Sequence, residues 1–566
     1  MARIVVDPIT RIEGHLRIEA AADGGRISDA WSSGTMFRGL EQVVRDRDPR
    51  EAWFWLQRIC AVCTTVHAMA SVRAVENALG IQVPENANLL RNLVAGVQMV
   101  HDHVIHFYHL HALDWIDPVK ALKADPAATA KLAGDLSEWP NASTRHFRAI
   151  QERVQAIAES GQLTVFAGGY WGHPAYRTPP EVDLLAVSHY LDALEWQRDF
   201  ARAHAVLGAK NPHLQTFLVG GMSTAMDPNS PQAPLNIERL ALVAELIGRA
   251  KRFVEQVYIP DLLAIAGLYP DWFTRGEGVG NFLVYGDFPD QSLEDRNGYF
   301  MPGGIVRNRD LSQVEPFAPD SVTENVTHAW YEGSATQHPF DEETRPNYTG
   351  PQPPYEQLPV EDKYSWLKAP RYRSEVMEVG PLARMLVAYA AGRENVRKAV
   401  DGVLQQLKAP PTALFSTLGR TAARGIETLL MVNQLGVWLQ RLQANMESNR
   451  LQTHEGSRWD PDTWPQTARG FGQHEAPRGA LGHWVEINRH VIRQYQVIAP
   501  STWNGSPRDE NNRRSAYEAA LIGHELADPN RPLEILRTIH SFDPCLACAV
   551  QVTDVRGRPF TRVNLR

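Results

Sequence analysis

The sequence predicts an α+β protein, predominantly helical, with a core bundle of long helices and small peripheral β-sheets near the N-terminus and in the C-terminal third. Three observations carry this expectation. Amphipathic stretches at helical spacing recur through the middle of the chain, and short period-two stretches lie towards its ends. The only four cysteines of 566 residues form two C-x-x-C pairs near opposite ends, Cys60/Cys63 and Cys545/Cys548. Cysteines scattered for packing would not cluster this way. Four thiolates that meet in space can bind one or two soft transition metals, so both chain ends are expected to converge on one buried metal site. That makes residues 1–566 one folding unit.

Residues 1–49 form a β-rich entry. Ile4-Val-Val-Asp-Pro leads in, His15-Leu-Arg-Ile-Glu-Ala alternates, and Asp23-Gly-Gly signals a turn. Residues 50–315 read as helical. Apolar residues at helical spacing run from 64 to 79 and stop at Gly80, which places the first cysteine pair near a helix N-terminus, where free N–H groups favour thiolate. A long helix is expected over 86–116, ended by Asp117-Pro118, with others over 181–208 and 236–268. Residues 316–370 are proline-rich and read as a surface excursion. Helices over 381–409 and 413–449 make up most of a helical segment, 371–450. Residues 451–551 read as β and loop, with strands over 484–498 and the second cysteine pair, and 552–566 form a tail.

The net charge of −8 gives no basic footprint, so no nucleic-acid partner is expected. No apolar stretch approaches the ~18 residues a spanning helix needs, and the N-terminus carries no apolar signal core. A structural zinc site places its two knuckles about 15–20 residues apart, whereas Cys60 and Cys545 lie 485 residues apart. Redox dithiols want a βαβ context that neither pair has. A catalytic thiolate–metal site is the leading reading.

Other chemistry-bearing residues each have a plainer alternative. Glu13, in Arg11-Ile-Glu-Gly-His15, reads by itself as a surface strand carboxylate, and Glu41 and Asp102 as solvated charges. The histidine-dense stretch 101–111 puts His103 and His106 on one helical face, but no acidic or cysteine partner repeats at that spacing. Buried, hydrogen-bonded histidines are therefore expected. Arg478, between Pro477 and Gly479, sits in an expected loop where a fixed guanidinium can serve a small anionic ligand or merely face solvent. Ser501, in Pro500-Ser-Thr-Trp-Asn504, offers a hydroxyl or ends a strand.

Together these stretches resemble the large subunit of nickel-iron hydrogenases, most closely the membrane-associated uptake branch. The likeness runs from Asp7-Pro-Ile-Thr-Arg-Ile-Glu-Gly-His15 to Asp543-Pro-Cys-Leu-Ala-Cys548 and takes in Gly34-Thr-Met-Phe-Arg-Gly-Leu-Glu41, His101-Asp-His103, Gly169-Tyr-Trp-Gly-His173 and Glu475-Ala-Pro-Arg-Gly479. The resemblance implies oxidation of dihydrogen by heterolytic cleavage at a nickel–iron centre, with two cyanides and one carbon monoxide on the iron. Cys63 and Cys548 would bridge both metals and Cys60 and Cys545 would bind nickel alone. Arg478, flanked by Pro477, and Ser501 would hydrogen-bond the cyanides. His67 would donate to the sulfur of Cys548, and Asp102 and Asp543 would hold Arg478 in place. Cys545 would take the proton, with Arg478 as a rival base, and Glu13 would relay it outward. Glu41, the carbonyl of Val497 and Gln551 would hold magnesium.

The likeness also implies partners. Electrons need an iron–sulfur small subunit in an obligate heterodimer, which can pair further into a dimer of heterodimers, and then a membrane cytochrome b or similar quinone-linked subunit. A maturation endopeptidase would remove the tail. The chain would work at the periplasmic face of the cell membrane, exported with the small subunit. Two departures stand out. Ala61 replaces the usual glycine of the first C-x-x-C, and Gln551 replaces the histidine that normally precedes the cleaved tail. An amide lacks imidazole's metal affinity, so a precursor-like form blocked in maturation is one alternative and a dihydrogen sensor another. A quinone-reductase subunit without metals is opposed by all four cysteines.

Overall fold

Paired glycines set the first turn of the chain. Gly24 and Gly25 hold φ of 57° and 83°, the double left-handed geometry of a two-residue hairpin loop. Leu16–Asp23 therefore pairs antiparallel with Arg26–Gly34, and Ala2–Val6 adds a third strand. The computed structural model describes all residues except 1, 162–165, 167, 342, 344, 352–356 and 550–566. It is about 46% helical with small sheets.

The helix Val66–Leu79 begins just after Cys63 and stops at Gly80, whose φ of 66° closes the end. It lies on the strand Thr467–Ala476 with backbone against backbone. A Cβ on Gly470 would stand 2.1 Å from the Ala74 carbonyl oxygen, and one on Gly472 only 2.0 Å from that of Ala70. Glycine at these alternate positions is what lets the helix approach. The strand continues through the two-residue turn Pro477-Arg478 into Gly479–Asn488, and then into Val491–Ile498. The helix that follows the first cysteines is thus locked to the hairpin that carries Arg478.

Glu85–Ile105 packs against Thr417–Glu447, where Gly96 leaves room for Leu435, Met431 and Trp438. It runs on through a widened turn, His106–His111, a geometry common near functional sites. Pro180–Gly208 packs beside both Glu85–Ile105 and Ile237–Phe253. The expected helix over 236–268 is found as Ile237–Phe253, a widened turn at Val254–Tyr258, and Ile259–Gly267. Pro260, which has no N–H to give, explains the widening.

Several elements differ from expectation. The stretch 381–409 is two helices, Pro381–Ala390 and Glu394–Leu407, separated at Gly392 with φ 80°. Pro126–Leu136 and Thr144–Glu159 lie within the stretch 50–315 read as helical but have no individual bounds there; Asp125 and Ser143 cap them through Ala127 N and His146 N. The strand Thr467–Ala476 lies within the stretch read as β and loop but outside the strands expected over 484–498, and Gly470 and Gly472 interrupt its strand pattern. The proline-rich stretch is less peripheral than its composition predicts. Val322–Asn325 pairs with Ala369–Tyr372, Trp330 and Tyr331 are buried, and Phe37 stacks on Trp366 at 3.9 Å.

The helix–strand contact generates a stability prediction. Gly472→Ala should lower unfolding free energy by about 1–3 kcal/mol or more, while Gly134→Ala, with open space around its Cβ position, should raise it by about 0.5–1 kcal/mol. Denaturant titration of both variants checks this, and equal effects would refute the contact.

Candidate metal centre

The two ends of the chain are joined by hydrogen bonds before any sulfur is considered. Leu546 N donates to the Glu13 carbonyl at 2.8 Å, and Ala547 N donates to Glu13 Oε2 at 2.9 Å. Gly14 permits this approach: its φ is 80°, and a Cβ there would stand 2.6 Å from Ala547 N. After the helix Leu533–Ser541, Asp543 takes a left-handed φ of 58° and turns Pro544 and Cys545 inward. Cys545 N donates to Ser501 Oγ at 2.9 Å, from the short helix Pro500–Gly505.

All four cysteines are buried and free, and they belong to the main apolar core. Cys63 Sγ lies 2.8 Å from Cys548 and 3.8 Å from Cys545, Cys545 lies 3.0 Å from Cys548, and Cys60 lies 3.5 Å from Cys545. Burial pushes the Cys63 thiol up to about 11 and those of Cys545 and Cys548 well above the usual range. Burial opposes Cys60 too, yet hydrogen bonds from Cys545, Cys548 and Cys63 carry its pKa well below the usual value. Four thiolates here require cations among them.

A narrow cavity adjoins the sulfurs, lined by Val66, His67, Ala476, Arg478, Pro500 and Ser501 along with three of the cysteines. Arg478 is 4% exposed. Its Nη1 lies 3.0 Å from Asp102 Oδ2, and its Nη2 lies 3.1 Å from Asp543 Oδ1 as an ion pair. Burial opposes the Arg478 charge, but Asp543, Cys545 and Asp102 outweigh it and hold its pKa well above the ordinary value. Its buried Nε has no partner among the described residues.

Glu13 faces Cys545 with its Oε2 3.4 Å from the sulfur. Burial and the Cys60 charge raise the Glu13 pKa, and the Ala547 N–H partly offsets them.

A family model for nickel-dependent hydrogenase matches residues 38–551. The chain is 47% identical to the uptake hydrogenase large subunit of Bradyrhizobium diazoefficiens, covering 100% of this chain and 97% of that one. It is 46% identical to the hydrogenase-1 large chain of Escherichia coli K12 with the same coverage. The fold matches the Ni-Fe-Se hydrogenase of D. vulgaris Hildenborough in its reduced state, with a TM-score of 0.76 at 31% identity, over 97% of this chain and 100% of that one. The chain belongs to the nickel-dependent hydrogenase family.

It is the large catalytic subunit of a nickel–iron hydrogenase, an oxidoreductase acting on dihydrogen. Other expected site residues of this hydrogenase are placed less simply. His67 Nε2 is buried without a partner among the described residues, so the expected bond to Cys548 is not made, and Nδ1 instead meets His483 Nε2 at 3.1 Å. Glu41 is buried beside Val497 and accepts its backbone N–H at 2.8 Å. Pro477 contributes through its backbone: its carbonyl accepts from Arg384 Nη2 at 2.9 Å. Gln551 and the tail 552–566 lie outside the described residues.

Sequence reasoning missed the groups that hold this site in the hydrogenase. Arg384 Nε and Nη2 pair with Glu427 at 2.6 and 2.7 Å, and Nη1 pairs with Glu475 at 3.0 Å and donates to the Ala476 carbonyl at 2.9 Å. Glu427 in turn meets His103 Nε2 at 2.7 Å, and His106 Nε2 meets the His540 carbonyl at 2.6 Å, so these histidines are hydrogen-bonded as expected. His111, Asp114 and His540 form a second group of potential metal ligands. Their atoms are engaged: Asp114 pairs with Arg11 and both histidines, Trp115 donates to His111 Nε2, and His540 Nε2 meets the Thr10 carbonyl. The group is a clamp on the segment leading to Glu13. Charged residues inside otherwise helical stretches, such as Arg384 and Glu427, were the available signal.

The joined ends generate a direct test. Gly14→Ala should speed alkylation of Cys545 and Cys548 by about tenfold or more, from the 1–3 kcal/mol that a strained backbone costs. Mass spectrometry after timed iodoacetamide exposure reads it, and an unchanged rate would remove Gly14 from the closure.

Proposed function

We propose that Cys60, Cys63, Cys545 and Cys548 would hold a nickel–iron centre at which this subunit oxidises dihydrogen, Cys63 and Cys548 serving as the shared ligands and Cys60 and Cys545 as the nickel ligands. The observation that carries the reading is the meeting of four buried sulfurs from opposite chain ends beside a buried guanidinium. The donors fit: thiolates suit soft metals, which also supply the positive charge that the buried cluster lacks. When bound, the centre supplies heterolytic cleavage of dihydrogen. Cys545 Sγ receives the proton and passes it to Glu13 Oε2, 3.4 Å away. A carboxyl with a raised pKa can hold that proton and release it outward. Arg478 is held charged, so it has no lone pair to offer as a base. Its orphan Nε and the Ser501 hydroxyl suit two cyanides on the iron, which also carries carbon monoxide. Asp102 and Asp543 keep the guanidinium aimed. The lining residues are themselves buried, and burial strengthens each of these contacts.

Around this core, Glu41 and the Val497 carbonyl would hold magnesium, and the family resemblance adds Gln551 to that set. No helix among the described residues is long and apolar enough to cross a membrane. All four cysteines serve one site, so electrons leave through an iron–sulfur small subunit in a heterodimer. A quinone-linked cytochrome b at the periplasmic face of the cell membrane then receives them, and an endopeptidase removes residues 552–566. Residues 1–566 act as one domain, since the site needs both ends.

Two substitutions separate the steps. Cys545→Ser should abolish hydrogen–deuterium exchange in the purified heterodimer. Glu13→Gln should retain exchange while dihydrogen-dependent dye reduction falls by about 100-fold or more, the scale of general acid–base catalysis. Full dye reduction in Glu13→Gln would refute the relay, and unchanged exchange in Cys545→Ser would remove its sulfur from the chemistry.

A further inference from the structure

Gln98 and Asp102 stand four residues apart on the helix Glu85–Ile105, so their side chains share one face. Asp102 Oδ1 accepts from Gln98 Nε2 at 2.5 Å. Such a pair is ordinarily a minor contact on a helix surface. Here both side chains are buried, and the Gln98 nitrogen makes a second bond, 3.1 Å to the Val62 carbonyl. Val62 lies between Cys60 and Cys63. Its side chain is 40% exposed and its carbonyl meets the buried amide, so Gln98 grips the cysteine loop from within. Both neighbours are acceptors, which orients the amide: its two protons go one to each. Gln98 Oε1 is buried without a partner among the described residues. An acceptor left so costs stability, so packing alone gives no reason for an amide at this position.

The line continues to the sulfur cavity. Asp102 Oδ2 accepts from Arg478 Nη1 at 3.0 Å, and Arg478 lines that cavity. On its other side Arg478 Nη2 pairs with Asp543 Oδ1 at 3.1 Å, two residues before Cys545. The guanidinium is thus tied to both cysteine pairs. Asp543 ties it to the second. Asp102 belongs to a helix that carries neither pair, and the Gln98 amide extends its hold to the first.

We propose that Gln98 is a positioning residue for the hydrogenase reaction, whose side-chain amide registers the guanidinium of Arg478 against the loop that carries Cys60 and Cys63. The inference rests on the nickel–iron reading above. A group that must meet ligands on the metals has to keep its place relative to every sulfur that holds them, and Gln98 supplies the half of that register that Asp543 does not.

The test uses the nickel-loaded heterodimer and the infrared bands of the cyanides on the iron, which report the hydrogen bonds around them whether or not the enzyme turns over. Gln98→Met nearly keeps the length of the side chain and removes its N–H groups, and should displace the bands as Arg478 shifts. Asp102→Ala cuts the same line further along and should displace them too. A double-mutant cycle separates positioning from packing: in the Asp102→Ala background, Gln98→Met should leave the bands where Asp102→Ala alone puts them. Unmoved bands in Gln98→Met, or a displacement that adds in full to that of Asp102→Ala, would overturn the proposal. If either variant fails to load nickel, Gln98→Glu decides, because a carboxyl of the same shape carries at most one proton and cannot serve both acceptors. Displaced bands in that variant support the line, and wild-type bands or failed loading overturn it. A wild-type heterodimer lacking cyanide bands altogether would contradict the nickel–iron reading itself, a different result.

Discussion

The site depends on a seam between residues from the two ends of the chain. Glu13 accepts the Leu546 N–H on its carbonyl and the Ala547 N–H on its side chain, and Gly14 lets the two backbones come within reach of each other. The seam does two jobs with one residue. It brings Cys545 and Cys548 to the sulfurs of the first pair, and it places a carboxylate oxygen beside the sulfur of Cys545. Loop-closure entropy across nearly the whole chain opposes such a meeting. The Asp114 clamp adds a buried ion pair with Arg11 and hydrogen bonds to His111 and His540 that oppose the same loss.

Charge sets the chemistry. Four thiolates inside an apolar core are untenable without cations, and the raised thiols of Cys63, Cys545 and Cys548 express that cost. Arg478 answers part of it from the protein side, fixed by two carboxylates. The hairpin turn carrying Arg478 is itself held through the Ala476 and Pro477 carbonyls by Arg384, whose charge is shared between Glu427 and Glu475. Each buried ion here has more than one partner, which is the condition under which buried pairs persist. A buried pocket with preset charges and dipoles follows, and these are what charge separation in a small apolar gas requires.

The long helices and the four cysteines were legible in the sequence because periodicity and spacing are local signals. So were the glycine turn at Gly24-Gly25 and the stop at Gly80. The strand Thr467–Ala476 was hidden because Gly470 and Gly472, which serve a contact with a helix nearly four hundred residues earlier in the chain, look like turn residues when read locally. Arg384, Glu427 and Asp114 were hidden for a related reason. A charged residue on a helix declares nothing until its partner is brought to it. His67 was assigned a bond to sulfur through family likeness, and its link to His483 emerges only once the helix sits on the sheet.

Nickel-edge X-ray absorption on the purified heterodimer tests the central claim most directly. Convergence of both cysteine pairs on one bimetallic centre predicts a first shell dominated by sulfur, with an iron neighbour in the next shell. A shell of nitrogen and oxygen, or nickel with sulfur but no iron nearby, would contradict it.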